Sequence, residues 1–380
     1  MTASQAGPFD TLVIGAGPAG CAAAFHLAHR GRTVVLLEQQ EQGRSKACGG
    51  GMAASVQRWF PFDLSPVVEQ VIEEVRFTWN LGDPVRAQLP GAAPFWIVRR
   101  SNLDAFLANR AAEAGVTLRY GTAATAVFRE GDLWWVTDQR GERWSSRSLL
   151  IADGSASPLA TQLGLGPPRP RYASTLSVEV ECPIQEPGVA YFDFGSVPQG
   201  FCWVFPRQQG YSIGVGTFIG QEDLDGEEVL QRLLPSLGLP PDAGIRRPVR
   251  LRVWDGHHPL DGPGLLVAGD AASLCDPFLA EGLRPALMSG CKAAAGLDAW
   301  LAGDGGALAG YTASMRRDWG ESMAWGKRIA QVFYRLPRVG YQLGIKRPTA
   351  PQRIAQILSG EMGYGDIAQR VIRRLLFQRG

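Results

Sequence analysis

The glycines of Gly15-Ala16-Gly17-Pro18-Ala19-Gly20 are spaced for phosphate chemistry. Gly15 allows a sharp turn out of the apolar run Asp10 to Ile14. Gly17 lets backbone approach a pyrophosphate, and Gly20 permits a helix to pack close to its strand. The alanine-rich stretch Cys21 to Arg30 predicts that helix, whose N-terminal N–H groups and positive dipole end would face the phosphates together with the small residues Ala16, Pro18 and Ala19. Gly31 stops it, Thr33 to Leu37 reads as a second strand, and Glu38 is placed to accept hydrogen bonds from both hydroxyls of a ribose. A lone glycine triplet is weak evidence. Here strand, glycines, helix, second strand and terminal acid occur in order, which predicts a dinucleotide seat without choosing between NAD and FAD.

A second set of residues suits chemistry on an apolar molecule. Cys48 lies in Lys46-Ala47-Cys48-Gly49-Gly50-Gly51-Met52, a loop whose glycines let backbone lie against a ring or a substrate. Its thiol is a candidate proton donor or substrate contact, or else a buried inert group. Phe201, Trp203 and Phe205 alternate along Pro198 to Pro206 and so share one face of a strand, either lining an apolar slot or serving as ordinary sheet core. Pro206 ends that strand, having no N–H to donate. The six cysteines are scattered without a C-x-x-C pair, and His257-His258, read as structural, is the one adjacent histidine pair. No metal site or disulfide framework is expected, and a reducing compartment is.

Two later segments turn the dinucleotide toward FAD. Leu149 to Gly154 is an apolar strand ending in Asp153-Gly154, and Leu265 to Ala272 is another ending in Gly269-Asp270. With the N-terminal unit these resemble the three fingerprints of the FAD-dependent hydroxylase and reductase superfamily, the para-hydroxybenzoate hydroxylase-like proteins. That resemblance implies that Asp270 contacts the ribitol–pyrophosphate region and that Asp153 supports the cofactor site. It also implies that Arg100, in Arg100-Ser101-Asn102-Leu103-Asp104-Ala105-Phe106-Leu107, sits by the FAD phosphates.

Three further segments resemble the geranylgeranyl reductase family: the Cys48 loop, then Pro198-Gln199-Gly200-Phe201-Cys202-Trp203-Val204-Phe205-Pro206, then Gly269-Asp270-Ala271-Ala272-Ser273-Leu274-Cys275-Asp276-Pro277-Phe278-Leu279-Ala280-Glu281-Gly282-Leu283. Gly282 joins the cofactor set on this ground, and Gly49, Gly50, Phe201, Trp203 and Phe205 the substrate set. Ala47 stands where the family has proline, Phe201 where it has tyrosine, and Ser273 and Ala280 where it has glycine. The family implies reduction of carbon–carbon double bonds in a prenyl chain by hydride from N5 of reduced FAD, recharged by NADPH or another donor. A flavin monooxygenase or halogenase on the same scaffold is the alternative, and a catalytically silent flavin-binding or lipid-carrier protein is another.

The elements that must position these residues follow from pattern and length. At 380 residues, 45% of them hydrophobic, the chain exceeds one small core. The expected architecture is α/β: a discontinuous Rossmann-type FAD-binding domain with a parallel sheet (1–74, 96–165 and 255–300), an antiparallel substrate sheet (75–95 and 166–254), and a C-terminal helical region (301–380). A formal charge of +2 gives no electrostatic case for nucleic acid. No signal-peptide pattern or spanning apolar run occurs, which predicts a cytoplasmic protein, or one peripheral on a membrane. The tail from Arg316 to Gly380 holds 13 Lys or Arg against 4 Asp or Glu, with Ile329, Val332, Phe333 and Leu336 at helical spacing. Such a tail either rests on an anionic membrane or packs on the core behind a solvated basic face. The oligomeric state is not legible.

Overall fold

A computed structural model describes residues 7–43, 46–91, 94–156, 158–218 and 225–369. Residues 1–6 and the last part of the basic tail, 370–380, lie outside them. One sheet runs in the order Asp261–Gly262, Leu265–Val267, Arg143–Ile151, Phe9–Ile14, Val34–Leu37, Thr117–Arg119. The four strands from Leu265–Val267 to Val34–Leu37 pair in parallel, as does Thr117–Arg119 at the edge. Parallel strands are covered on both faces, so their sequences run apolar without alternation. Leu12, Val13, Val35, Leu36, Leu149, Leu150 and Ile151 are all inaccessible to solvent.

The helix Pro18–His29 is rich in alanine because it is enclosed: it packs against both Leu283–Leu301 and Arg100–Glu113. A side chain added at Gly290 would meet the carbonyl of Ala19 at 2.2 Å, so this helix crossing requires glycine. Phe9–Ile14 has sequence neighbours on one side and the late strand Arg143–Ile151 on the other. Chain order reverses there, and a crevice opens at the carboxyl ends of the strands, the usual ligand position in open α/β sheets.

A second sheet has seven strands, ordered Ile245–Val253, Arg171–Val180, Tyr211–Thr217, Gly200–Pro206, Val189–Phe194, Glu74–Trp79, Gly82–Gln88. It is antiparallel except where Val189–Phe194 pairs in parallel with Glu74–Trp79. Gly200–Pro206 lies in its centre and is buried throughout. Period-2 alternation divides this strand between two cores. Phe201, Trp203 and Phe205 face the main core, while Cys202 and Val204 join Ile213, Val215 and Leu230 beneath the helix Gly226–Ser236. A third sheet of three short strands, Gly51–Ala53, Phe95–Val98 and Val68–Ile72, was not foreseen in the sequence.

The tail is built of helices, chiefly Ala307–Met315, Glu321–Arg335 and Ala350–Leu358. Aromatic side chains peg it to the rest. Tyr311 donates to the carbonyl of Val267 (2.9 Å), Trp319 to Leu274 (2.8 Å), Tyr334 to Phe278 (3.0 Å) and Tyr341 to Phe77 (3.2 Å). Tyr364 donates to the Asp276 carboxylate at 2.6 Å. Of the apolar stripe read in the sequence, Phe333 is buried, whereas Val332 and Leu336 are exposed. The tail thus packs on the core, as one of the two alternatives had it, and keeps exposed apolar side chains on its outer face.

Candidate functional site

The turn after Phe9–Ile14 forms because only glycine fits it. Gly15 has φ +99°, and a Cβ there would lie 2.5 Å from the carbonyl of Ala152. At Gly20 a Cβ would lie 1.9 Å from the carbonyl of Gly15. Gly17 caps the helix in an extended conformation and Pro18 occupies its first turn, where no N–H is needed. Glu38 is 1% exposed. Its Oε2 accepts from the Ala16 N–H (2.8 Å) and its Oε1 from the Gln40 N–H (3.0 Å). The acid therefore fastens the glycine turn to the end of the second strand.

A single cavity of about 570 Å³ extends from this turn to the second sheet. Gly15, Gly17, Pro18, Ala19, Glu38, Arg100, Asp153, Asp270 and Gly282 line it, and so do Cys48, Gly49, Gly50, Phe201, Trp203 and Phe205. Ala16 and Gly20 shape the seat from behind, outside the lining. The two sets named from the sequence thus meet in one space.

Charges are arranged along one side. Lys46 reaches across to Asp270, Nζ to Oδ2 at 3.2 Å, and its ammonium also lies 3.8 Å from where a Gly154 Cβ would stand. It joins the second and third fingerprints, and sequence reasoning missed it, quoting Lys46 only as part of the Cys48 loop. Arg100, 7% exposed, grips Asp104 through two parallel bonds of 3.0 and 2.9 Å. Burial opposes its charge, but Asp104, Cys48 and Asp270 outweigh that and raise its pKa above the usual value. The Pro18 helix N-terminus, Lys46 and Arg100 give one space a positive edge suited to a diphosphate.

The Cys48 loop is held from beneath. Arg207, 1% exposed, donates to the carbonyls of Cys48 (3.2 Å) and Val98, and Ser212 Oγ donates to Cys48 at 3.4 Å. Arg207 follows the aromatic strand directly, a signal that a sequence reading tuned to Pro206 passed over. Gly50, with φ +83°, leaves no room for a Cβ, which would meet the Val98 carbonyl at 2.0 Å. Its N–H donates to the Cys48 sulfur at 3.3 Å. A Gly49 Cβ would lie 3.1 Å from both Trp203 Nε1 and Phe205 Cε2, so the loop lies flat against the aromatic wall. Phe201 packs on Phe218 (4.8 Å between centroids) and on Phe192 (5.5 Å), surroundings with no use for the hydroxyl that a tyrosine would bring.

The third fingerprint bends sharply. Ser273 (φ +55°) and Ala280 (φ +58°) adopt the left-handed backbone that glycine takes freely. The Ser273 hydroxyl is also buried and has no partner among the described residues. Ser273→Gly removes strain and an unsatisfied hydroxyl together, set against a more flexible unfolded chain. A net gain of about 1 kcal/mol is expected as a raised denaturant midpoint at unchanged slope.

Between these two bends, Asp276 accepts from the N–H groups of Phe278 (2.6 Å) and Leu279 (3.0 Å) and from Tyr364. Burial raises its pKa against the pull of those bonds. Burial also pushes Glu281 from 4.5 up to about 7, although Arg284 donates to it at 2.6 Å. An acid that keeps its proton when folded and loses it when unfolded stabilises the fold less as pH rises. Stability of the cofactor-free protein should therefore fall between about pH 4.5 and 7, by about 3 kcal/mol at most from this group. Glu281→Gln should flatten that stretch of the profile in urea titrations at stepped pH.

Residues 10–63 match the family profile described as FAD binding domain, and residues 84–296 the one described as FAD dependent oxidoreductase. The chain is 32% identical over 343 residues to digeranylgeranylglycerophospholipid reductase 2 of Methanothermobacter thermautotrophicus, covering 85% of this chain and 84% of that protein. It is 28% identical to digeranylgeranylglycerophospholipid reductase of Methanocaldococcus jannaschii, with coverage of 82% and 79%. Among solved structures, a geranylgeranyl bacteriochlorophyll reductase-like protein from Thermoplasma acidophilum superposes with a TM-score of 0.78 at 21% identity, over 93% of this chain and 91% of the other. A flavin-dependent brominase shares the fold at a TM-score of 0.72 and 18% identity, over 97% and 100%.

Proposed function

Because the chain belongs to the geranylgeranyl reductase family of FAD-dependent oxidoreductases, we propose that it reduces carbon–carbon double bonds in the prenyl chain of a lipid, with electrons from NADPH or another donor. The observation that carries this reading is the shared cavity: the nucleotide seat and the wall of Phe201, Trp203 and Phe205 line one continuous space. The seat fits FAD on its own terms, since the close approaches at Gly15 and Gly20 and the positive edge suit a dinucleotide diphosphate. The chemistry supplied by reduced FAD, when bound, is hydride donation to an alkene carbon.

The chain's own residues have three tasks in this reading. Glu38 would hold the adenosine end and the Pro18 helix, Lys46 and Arg100 the diphosphate, with Asp153, Asp270 and Gly282 around the remainder. Phe201, Trp203 and Phe205 give an isolated alkene a dry wall that keeps water away from the reacting carbons. Cys48, which lines the same cavity beside Gly49 and Gly50, is the candidate to donate the proton that the second alkene carbon needs or to touch the substrate. We assign the nucleotide to the parallel sheet and the prenyl chain to the aromatic face of the second sheet.

The test is anaerobic. NADPH-reduced enzyme mixed with digeranylgeranylglycerophospholipid should regain the oxidised flavin spectrum and yield lipid with added hydrogen by mass. No reoxidation with any prenyl lipid overturns the proposal. Oxygen uptake in step with product formation would assign the site to monooxygenation or halogenation instead.

A further inference from the structure

Eight large hydrophobic side chains are exposed among the described residues, and four of them fall within one twelve-residue segment: Val332 (74%), Leu336 (61%), Val339 (49%) and Leu343 (55%). The inner side of this segment is fully engaged. Phe333 packs edge-on against Phe194 (5.2 Å), and Phe194 meets Phe201 (5.8 Å), a cavity-lining ring. The same backbone thus carries two apolar faces, one turned to the rings that run to the cavity and one turned to solvent. Solvated helices normally present charge there.

Charge selects the occupant. Residues 322–360 contain seven Lys or Arg and no Asp or Glu. Arg335, Arg338 and Arg347 are exposed among the apolar side chains. The acid that approaches is Asp83, held by Lys346 (2.7 Å) and Gln342 (3.3 Å). Asp83 follows the hairpin turn carrying Leu81, itself 41% exposed with φ +62°. The helix breaks at Leu336 (φ −133°, ψ 67°) before Pro337, so the stripe does not offer the unbroken heptad seam that a coiled-coil partner needs. Leucines and valines interleaved with arginines on a broken amphipathic helix suit an interface of acyl chains and anionic headgroups.

We propose that Val332, Leu336, Val339 and Leu343 form a docking face for an anionic lipid bilayer, on the helical segment whose inner side packs on the aromatic rings leading to the cavity. The choice of a bilayer rests on the prenyl-lipid reading. The binding test does not use turnover, so the two stand or fall separately. Holoenzyme is sedimented with vesicles of equimolar phosphatidylglycerol and phosphatidylcholine, and with phosphatidylcholine alone. Pelleting is expected with the anionic vesicles and should weaken as salt rises. Leu336→Glu/Leu343→Glu should reduce that partitioning about tenfold or more while turnover of detergent-dispersed substrate is unchanged. The proposal is overturned if the wild-type protein stays in the supernatant with anionic vesicles, or if the double variant pellets as well as it does. It is equally overturned if the wild-type protein is a dimer in solution and the double variant a monomer, which would give the stripe to a second copy of this chain.

Discussion

Gly17→Glu yields a folded, colourless protein. Gly17 caps its helix at φ −79° and ψ −178°, extended backbone that glutamate adopts without strain. A carboxylate at a helix N-terminus is favourable for the fold, so the melting temperature without cofactor should not fall. The same carboxylate, however, would stand in the cavity where a diphosphate needs the helix dipole and unpaired N–H groups. Repulsion between close like charges, with loss of that dipole contact, makes about 4 kcal/mol a reasonable cost, or about a thousandfold in FAD affinity. Flavin absorbance of the purified variant and calorimetric titration with FAD provide the check. A yellow variant with ordinary affinity would remove the nucleotide seat from this turn.

Gly214→Ala should separate cofactor from substrate. Gly214 is paired directly with Trp203 across two antiparallel strands. Its missing side chain leaves the space the indole occupies: a Cβ would lie 2.1 Å from Trp203 Cζ2 and 2.5 Å from Cη2. Aromatic rings often lie over a cross-strand glycine in this way. One methyl group must therefore displace the indole from the aromatic wall, by about 1 Å or more, and misplacement on that scale costs about 100-fold in turnover. FAD content and the rate of flavin reduction by the electron donor should stay near wild type, while kcat/KM for prenyl lipid falls. Adding Trp203→Phe, which shortens the ring, should restore part of the loss. Equal loss of FAD and of turnover would show that the wall is only structural.

The nucleotide seat was legible because its glycines answer to contacts within a short stretch of chain. Gly15 and Gly20 crowd each other, and Glu38 closes on Ala16. The aromatic wall was legible in part: alternation places Phe201, Trp203 and Phe205 on one face, but not what that face looks upon. What long-range pairing decides stayed hidden. Lys46 is an ordinary lysine until the fold sets it 3.2 Å from Asp270, and Arg207 looks solvated until the third sheet covers it. Ser273 and Ala280 look like departures from a glycine pattern, yet the backbone keeps its left-handed turns there. In the tail, helical spacing grouped Val332 with Phe333 because periodicity marks apolar positions without saying which of two apolar faces turns inward.

The pegs that fasten the tail end on the very segment that bends around the cofactor cavity. Tyr334 holds Phe278, Tyr364 holds Asp276, and Leu279 and Gly282 in the same turn line the cavity. Occupancy of the cavity should then favour docking of the tail, and docking should favour occupancy by the same free energy. FAD should shield the last helices from trypsin, whose sites are abundant there, and a cleaved tail should release flavin more readily. Protease sensitivity thus becomes a gauge of cofactor saturation.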